Sequence, residues 1–405
     1  MSKCRLCGCS IEPFIDFGQM PIGNAFLTPD QFDNEYFYHM QVAVCGDCHT
    51  LQVVDVPDPD QMFHDHYAYF ASTSSYMTEH FRVMAEDLMS KYVSETNPFV
   101  VEIGCNDGIT LQNFARAGVP HLGVEPSSNV ADAAREKGVN ILSEFFNEQT
   151  AANIVSEHGN ADLFIATNTM HHIEDTNSVA AGVAILLKPK GVMVQEDPYL
   201  GDMIEGTAYD QLYAEHMYIW SVTSLNNVFS RHGLEIFDVE WNAFHGGCMR
   251  YFLCHKGAYP ESDRLLAQRA KESLMGLGRP ETFDTFRRNC ELSREKIMNL
   301  LHDYDAAGKT VVGYGATAKS ATVINYCGID DQLIEFISDT TPAKQNKYSP
   351  GAHIPVKSHD AFTDSHADVA VLFAWNHFNE INAKEESFRA RGGKWVIPVR
   401  MVEVV

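Results

Sequence analysis

Tyr213, Glu215 and His216 fall within four consecutive positions of the stretch YAEHMYIWS. An imidazole, a carboxylate and a phenol so close together have the makings of an acid–base centre. Histidine titrates near neutral pH, and burial or charged neighbours shift the other two towards it. The bland alternative is a solvated loop corner with His216 paired to Glu215. A histidine pair in NTMHHIED, His171 and His172, and two Cys-x-x-Cys pairs are the other residues whose type and spacing point to chemistry.

The cysteine pairs are Cys4/Cys7 and Cys45/Cys48. Two such knuckles bring four thiolates to one tetrahedral ion, and zinc is the soft-ligand choice. Four free core cysteines are the alternative. The long separation requires an excursive loop between the knuckles. Four protein ligands leave no position for water, so the ion is expected to be structural. Cys9 is spare, and His39 and His49 are substitute ligands.

The elements that must position these groups follow from periodicity. Between about residue 67 and residue 254, β-branched runs alternate with helical patterns: PFVVEIG, HLGVEPS, ADLFIATN and GVMVQED as strands, TLQNFARAG, NVADAAREKG and SVAAGVAILLKPKG as helices. Such alternation makes a parallel sheet covered on both faces, whose ligands bind beyond the strand carboxyl ends. There the chain places Glu102, then Gly104-Cys105-Asn106-Asp107-Gly108, a Gly-x-x-x-Gly turn without the middle glycine of a dinucleotide fingerprint. Glu125 ends the second strand, where an acid accepts both ribose hydroxyls. A ribose acid beside a turn without phosphate-cradling amides fits S-adenosylmethionine, which has a ribose but no pyrophosphate. Asn168 is a candidate for its methionine part. Phe145 and Phe146 either flank adenine or belong to the core.

VVEIGCNDG, GVEPS and NTMHHIED resemble class I S-adenosylmethionine-dependent methyltransferases. With the knuckles, YAEH and HGGCMRYF, the whole chain resembles the zinc-containing sugar C-methyltransferases of deoxysugar biosynthesis. The resemblance implies methylation of a carbon beside the ketone of a nucleotide-linked 4-keto-6-deoxyhexose, thymidine-diphosphate-linked and at C-3. It implies His216 as base and Tyr213, Glu215 and His172 as substrate-site residues, with Tyr67 of HYAYF as a further active-site tyrosine. A carbon nucleophile needs exactly such a set: a base for the C–H and a donor for the enolate oxygen. Tyr213 and His172 are expected at the C-4 oxygen, Glu215 against His216 or the sugar, and His171 as buried support. His245, Gly246 and Gly247 are expected to approach the ligand, and Cys248 to be a tolerated substitution.

Two amphipathic patterns follow residue 260 and lead into a second α/β unit. There Gly313-Tyr314-Gly315-Ala316-Thr317-Ala318 satisfies Gly-x-Gly-x-x-Ala, and Asp339 ends the next strand. This is a better nominal dinucleotide fingerprint than the turn at Gly104, and it supports a rival reading as a nicotinamide-dependent oxidoreductase. Physically the motif says only that a phosphate can meet a helix N-terminus, which a nucleotide-sugar would use equally. Tyr314, Gly315, Ala316, Thr317, Lys319, Asp339, Lys344, Gln345 and Asn376 are the candidate contacts. Arg250, Lys319, Lys344 and Lys347 are candidate local cations, needed because the formal charge is −24.

The chain of 405 residues thus reads as α/β in three parts: an N-terminal zinc-binding lobe (1–63), a class I methyltransferase Rossmann-like doubly wound sheet (64–255), and a helical bridge with a C-terminal Rossmann-like α/β lobe (256–405). So acidic a chain argues against nucleic acid and anionic membranes as partners. No signal-peptide or spanning segment is evident, so a cytoplasmic location is expected. All catalytic parts come from one chain, which permits a monomer. A third reading is a non-catalytic ligand-binding relative; the Tyr-x-Glu-His set speaks against it, since binding alone needs no base.

Overall fold

The computed structural model describes residues 2–57, 70–73 and 75–405. Tyr67 lies outside the described residues. The central sheet has seven strands: β1 (Val100–Ile103), β2 (His121–Val124), β3 (Ile141–Leu142), β4 (Ala161–Thr167), β5 (Leu187–Pro198), β6 (Leu234–Asn242) and β7 (Cys248–His255). Their spatial order is β6-β7-β5-β4-β1-β2-β3. The first five are parallel, and β7 runs antiparallel to both β5 and β6. β1, β2 and β4 are buried throughout, as an apolar run covered on both faces requires. The order reverses between β1 and β4, which opens the ligand crevice at their carboxyl ends. β6, LEIFDVEWN, was not among the expected strands. It carries three acidic residues, one of which, Glu240, is spent on cross-strand pairing with Arg250.

In the N-terminal lobe the strands Pro13–Pro21, Phe37–Val44 and Leu51–Val53 form an antiparallel sheet. Its fourth strand, Tyr218–Ile219, comes from the stretch YAEHMYIWS and pairs with Leu51 and Gln52. The loop that carries Tyr213, Glu215 and His216 is therefore stitched into the lobe that carries the cysteines. The knuckles are built alike. Gly8 N–H donates to Cys4 O at 2.9 Å and His49 N–H to Cys45 O at 3.0 Å, and both residues are left-handed, with φ of 76° and 59°.

The C-terminal lobe has a six-stranded sheet, Val356–Lys357, Ile337–Ser338, Val311–Tyr314, Val369–Leu372, Lys394–Ile397 and Glu403–Val404, of which only the last pairing is antiparallel. Helices Asp263–Met275 and Pro280–Ala306 bridge to it. The zinc lobe also reaches this sheet. Leu27 bridges to Tyr348, Glu35 accepts from Gly351 N–H and pairs with His353, each at 2.7 Å, and Phe32 stacks on His353. Among the described residues no helix is long and apolar enough to cross a membrane.

Candidate active site

The four knuckle sulfurs lie within 4.8 Å of one another, with Cys4–Cys48 at 3.6 Å and Cys7–Cys45 at 3.4 Å. Zinc–sulfur bonds of about 2.3 Å in a tetrahedron place sulfurs roughly 3.8 Å apart, so the set fits zinc with no position left for water. Neither His39 nor His49 belongs to this group; His39 pairs with Asp16 at 2.8 Å. A second cluster of potential ligands, His171, His172 and His216, also has nitrogens within 4.8 Å. Both nitrogens of His216 are already engaged, so this trio is not arranged as a metal centre.

One cavity of about 560 Å³ joins the switch point of the central sheet to the C-terminal lobe. Glu102, Gly104, Asn106, Glu125, Phe146 and Asn168 line its one side; His172, Tyr213, Glu215, His216 and His245 its middle; Thr317, Lys319, Lys344 and Asn376 its other side. Residues separated by more than 200 positions thus meet at one site. On the cofactor side, Gly104 leaves β1 at φ 57°, and a side chain there would collide with Thr169. Glu125 accepts from Asn106 N–H at 3.0 Å and Ser127 N–H at 2.9 Å, which pins the turn to β2. Glu102 is fully buried, and burial pushes its carboxyl up to about 8. Its Oε2 has no hydrogen-bond partner among the described residues. An orphaned buried carboxylate oxygen fits the ammonium of a bound amino acid, as S-adenosylmethionine offers. Phe146 packs on Phe164 at 5.1 Å, half in the core, while Phe145 is exposed. Gly108 does not line the cavity; its left-handed backbone (φ 77°) lets the turn pass close to Ala134 and Val139.

In the middle, His216 Nδ1 lies 2.8 Å from the carbonyl of Gln211. A carbonyl only accepts, so Nδ1 carries the proton and Nε2 is the free base, which accepts from the Tyr213 hydroxyl. Burial, then His171, His172 and Lys319, hold His216 well below the ordinary imidazole range; the Gln211 carbonyl opposes them. His171 is fixed by Asp197 at 2.6 Å, itself held by Gln195 at 2.7 Å, and its ring meets His216 edge-on at 4.2 Å. Burial lowers it to about 3 and depresses His172 as well.

Glu215 does not orient His216. Adjacent residues point apart, and Glu215 Oε1 accepts from Asn24 Nδ2 of the zinc lobe at 2.7 Å, while Gln211 fixes the imidazole. Burial raises Glu215 to about 7. Asn24 and the Gln211 carbonyl were missed in the sequence. Asn24 stands 191 positions from its partner and the Gln211 contact is made by backbone, so neither leaves a side-chain signal at short range.

Several expected substrate contacts point elsewhere. Arg250 is not a free cation. The register sets it opposite Glu196 on β5 and Glu240 on β6, and it pairs with them at 2.7 and 3.2 Å. Tyr314 points into the C-terminal core, its hydroxyl donating to Glu385 at 2.8 Å. Gly247 packs against Asp202. Gly315, Ala316, Asp339 and Gln345 do not line the cavity. Asp339 accepts from Ala316 N–H and Thr341 N–H, both at 2.8 Å, and its carbonyl accepts from Gln345 at 3.0 Å. Over the same turn lies Gly23 of the zinc lobe, close enough that a Cβ would stand 3.0 Å from the Ala318 carbonyl. The glycines of the fingerprint that suggested a nicotinamide cofactor are thus covered by the protein itself, while Thr317 and Ala318 at its end line the cavity.

Three family models match the chain. A zinc binding domain matches residues 4–63, a methyltransferase domain residues 73–239, and a C-methyltransferase C-terminal domain residues 243–400. The chain is similar to the C-methyltransferase NovU of Streptomyces niveus, at 32% identity over 410 residues, covering 100% of this chain and 97% of that protein. A ubiquinone biosynthesis O-methyltransferase of Bartonella tribocorum is 28% identical over 95 residues, 23% of this chain and 38% of its own. Among solved structures, the magnesium protoporphyrin IX methyltransferase of Synechocystis with bound SAH aligns at TM-score 0.35 and 13% identity, over 44% of this chain and 83% of that one.

Proposed function

Because the chain belongs to the C-methyltransferase family that includes NovU, we propose that it methylates C-3 of a thymidine-diphosphate-linked 4-keto-6-deoxysugar, with His216 as the base that generates an enolate. S-adenosylmethionine, when bound, supplies a methyl group on a sulfonium whose leaving thioether is neutral. The chain's own task is then at the acceptor carbon. The observation that carries this reading is the tautomer of His216: Nδ1 donates to the Gln211 carbonyl, so Nε2 is the basic nitrogen, on a residue that lines the same cavity as Glu102 and Gly104. Low proton affinity keeps that nitrogen unprotonated at neutral pH. The C-3–H of the sugar takes the place of the Tyr213 hydroxyl at Nε2, and the released phenol turns to the C-4 oxygen. His172 faces the same volume. Glu215 and its Asn24 partner meet the sugar's hydroxyls. The diphosphate is assigned to Thr317 at the start of helix Ala318–Cys327 and to Lys344, with Asn376 at its edge. The keto group is what makes C-3–H acidic enough for an imidazole, so a sugar without it is not a substrate.

The test uses purified protein, the keto-sugar nucleotide and labelled methyl donor. A His216→Asn variant should bind S-adenosylhomocysteine and thymidine diphosphate normally while methyl transfer falls by about 10³. Transfer at a near wild-type rate removes the base assignment. Transfer to a keto-free sugar at the same rate removes the enolate.

A further inference from the structure

We propose that Lys319 is a catalytic cation, whose ammonium faces the C-4 oxygen and stabilises the charge that develops there as the C-3 proton leaves. This rests on the enolate reading above and reassigns a lysine that the sequence suggests as a phosphate contact.

An enolate is an anion forming in a largely apolar cavity, and Tyr213 and His172 are neutral donors. A charged donor is worth roughly twice a neutral one, and more where water is excluded. Among the described residues, the cavity is lined by two cationic side chains, Lys319 and Lys344. They have different neighbours. Lys344 donates to the Ala316 carbonyl at 2.8 Å, lies 5.1 Å over Phe26, and its charge is felt by Glu215 and Asp339. Lys319 donates to the His245 carbonyl at 3.3 Å and lies 5.7 Å over Trp375; His171 and His216 both feel its charge. The same His245 carbonyl accepts from Gln211 Nε2 at 3.0 Å, and the Gln211 carbonyl holds His216 at 2.8 Å, so Lys319 is the cation tied by hydrogen bonds to the base. An ammonium has three donors, and one long bond to a backbone carbonyl leaves capacity for a ligand oxygen. Asp210 meets the same Trp375: it is buried, takes the indole N–H on Oδ2 at 2.6 Å, and has no hydrogen-bond partner on Oδ1 among the described residues.

The step balances as follows. The C-3–H pair becomes the C-3=C-4 π bond, the carbonyl π pair moves to oxygen opposite Lys319, and the proton goes to Nε2 of His216. The enolate then forms its new C–C bond to the methyl carbon, the C–S pair stays on the neutral thioether, and imidazolium later returns its proton to water.

The experiment follows loss of the C-3 proton by NMR, using thymidine-diphosphate 4-keto-6-deoxyglucose, S-adenosylhomocysteine and D₂O, with the affinity for thymidine diphosphate alone measured in parallel. Wild type should exchange the proton. Lys319→Met should exchange about 10²–10³ times more slowly with thymidine diphosphate affinity unchanged. Lys319→Gln, which keeps a polar head should Met not be tolerated, is expected between the two. If either variant exchanges as fast as wild type per bound sugar, or if the defect is a loss of thymidine diphosphate affinity, the role is refuted and Lys319 is a packing or diphosphate residue. A wild type that neither exchanges nor methylates this sugar overturns the enolate reading itself, and this role with it.

Discussion

At Gly104 and again at Gly315 the chain leaves a buried parallel strand through a left-handed glycine, at φ 57° and 88°. In both places the acid ending the neighbouring strand accepts from an amide of the turn and from the amide two residues beyond itself. Glu125 does so with Asn106 and Ser127, Asp339 with Ala316 and Thr341. The two turns share one local construction. Their surroundings differ. The first opens into the cavity, with the orphaned Glu102 oxygen beside it; the second is crossed by Gly23 and tied down by Lys344. A glycine fingerprint therefore specifies a backbone shape, and whether that shape holds a ligand depends on what another part of the chain lays over it.

The sharpest way to break this contrast is through the lobe that does the covering. Cys45→Ser should lose the metal, and with it the sheet to which Tyr218–Ile219 is paired. Structural zinc contributes folding energy outright, so the loss should reach the loop that carries Tyr213 and His216 and cut methyl transfer by more than about 10². A zinc-free variant with full activity would show that the lobe is a passenger. Next in size is a matched pair of substitutions. Glu125→Ala should weaken S-adenosylhomocysteine binding by about 10- to 100-fold, the worth of a charged hydrogen-bond acceptor. Asp339→Ala should leave that affinity unchanged and cost stability instead, about 2 kcal/mol in denaturant melts. Saturable binding of reduced nicotinamide dinucleotide, abolished by Asp339→Ala, would reverse the assignment of the second turn.

The same contrast shows how much could be read in advance. The strands at residues 98–104, 121–127 and 161–168 were legible because a doubly covered strand must be apolar along its whole length, and the knuckles because ligand spacing is local. The pairing of Glu102 and Glu125 around Gly104 was visible for the same reason. Arg250 was misread because its fate depends on register: a cross-strand glutamate on each side makes it structural. Tyr314, Gly315 and Asp339 matched a motif, but the burying contact of Gly23 lies about 290 positions away in sequence. Asn24 carried no signal at all until the lobes were seen together.

The smallest effect is a pH dependence in which activity and stability should part company. In the proposed role His216 must be neutral, and its proton affinity is held well below the usual range, so the acid limb of kcat/KM should lie below pH 6.5. Stability runs the other way. Glu102 and Glu215 titrate near 8 and 7 in the fold, against about 4.5 when exposed. A carboxyl that holds its proton more tightly when folded stabilises the fold below its unfolded value and loses that contribution as pH rises through the folded one. The unliganded protein should therefore melt a few degrees lower at pH 8 than at pH 6, while the buried histidines reverse the slope only below about 6.5. Glu102→Gln should flatten the fall without moving the acid limb, because that carboxyl belongs to the cofactor turn and the limb belongs to His216. A limb that shifts with Glu102→Gln would mean that the two groups titrate as one, and that the cofactor turn takes part in setting the base.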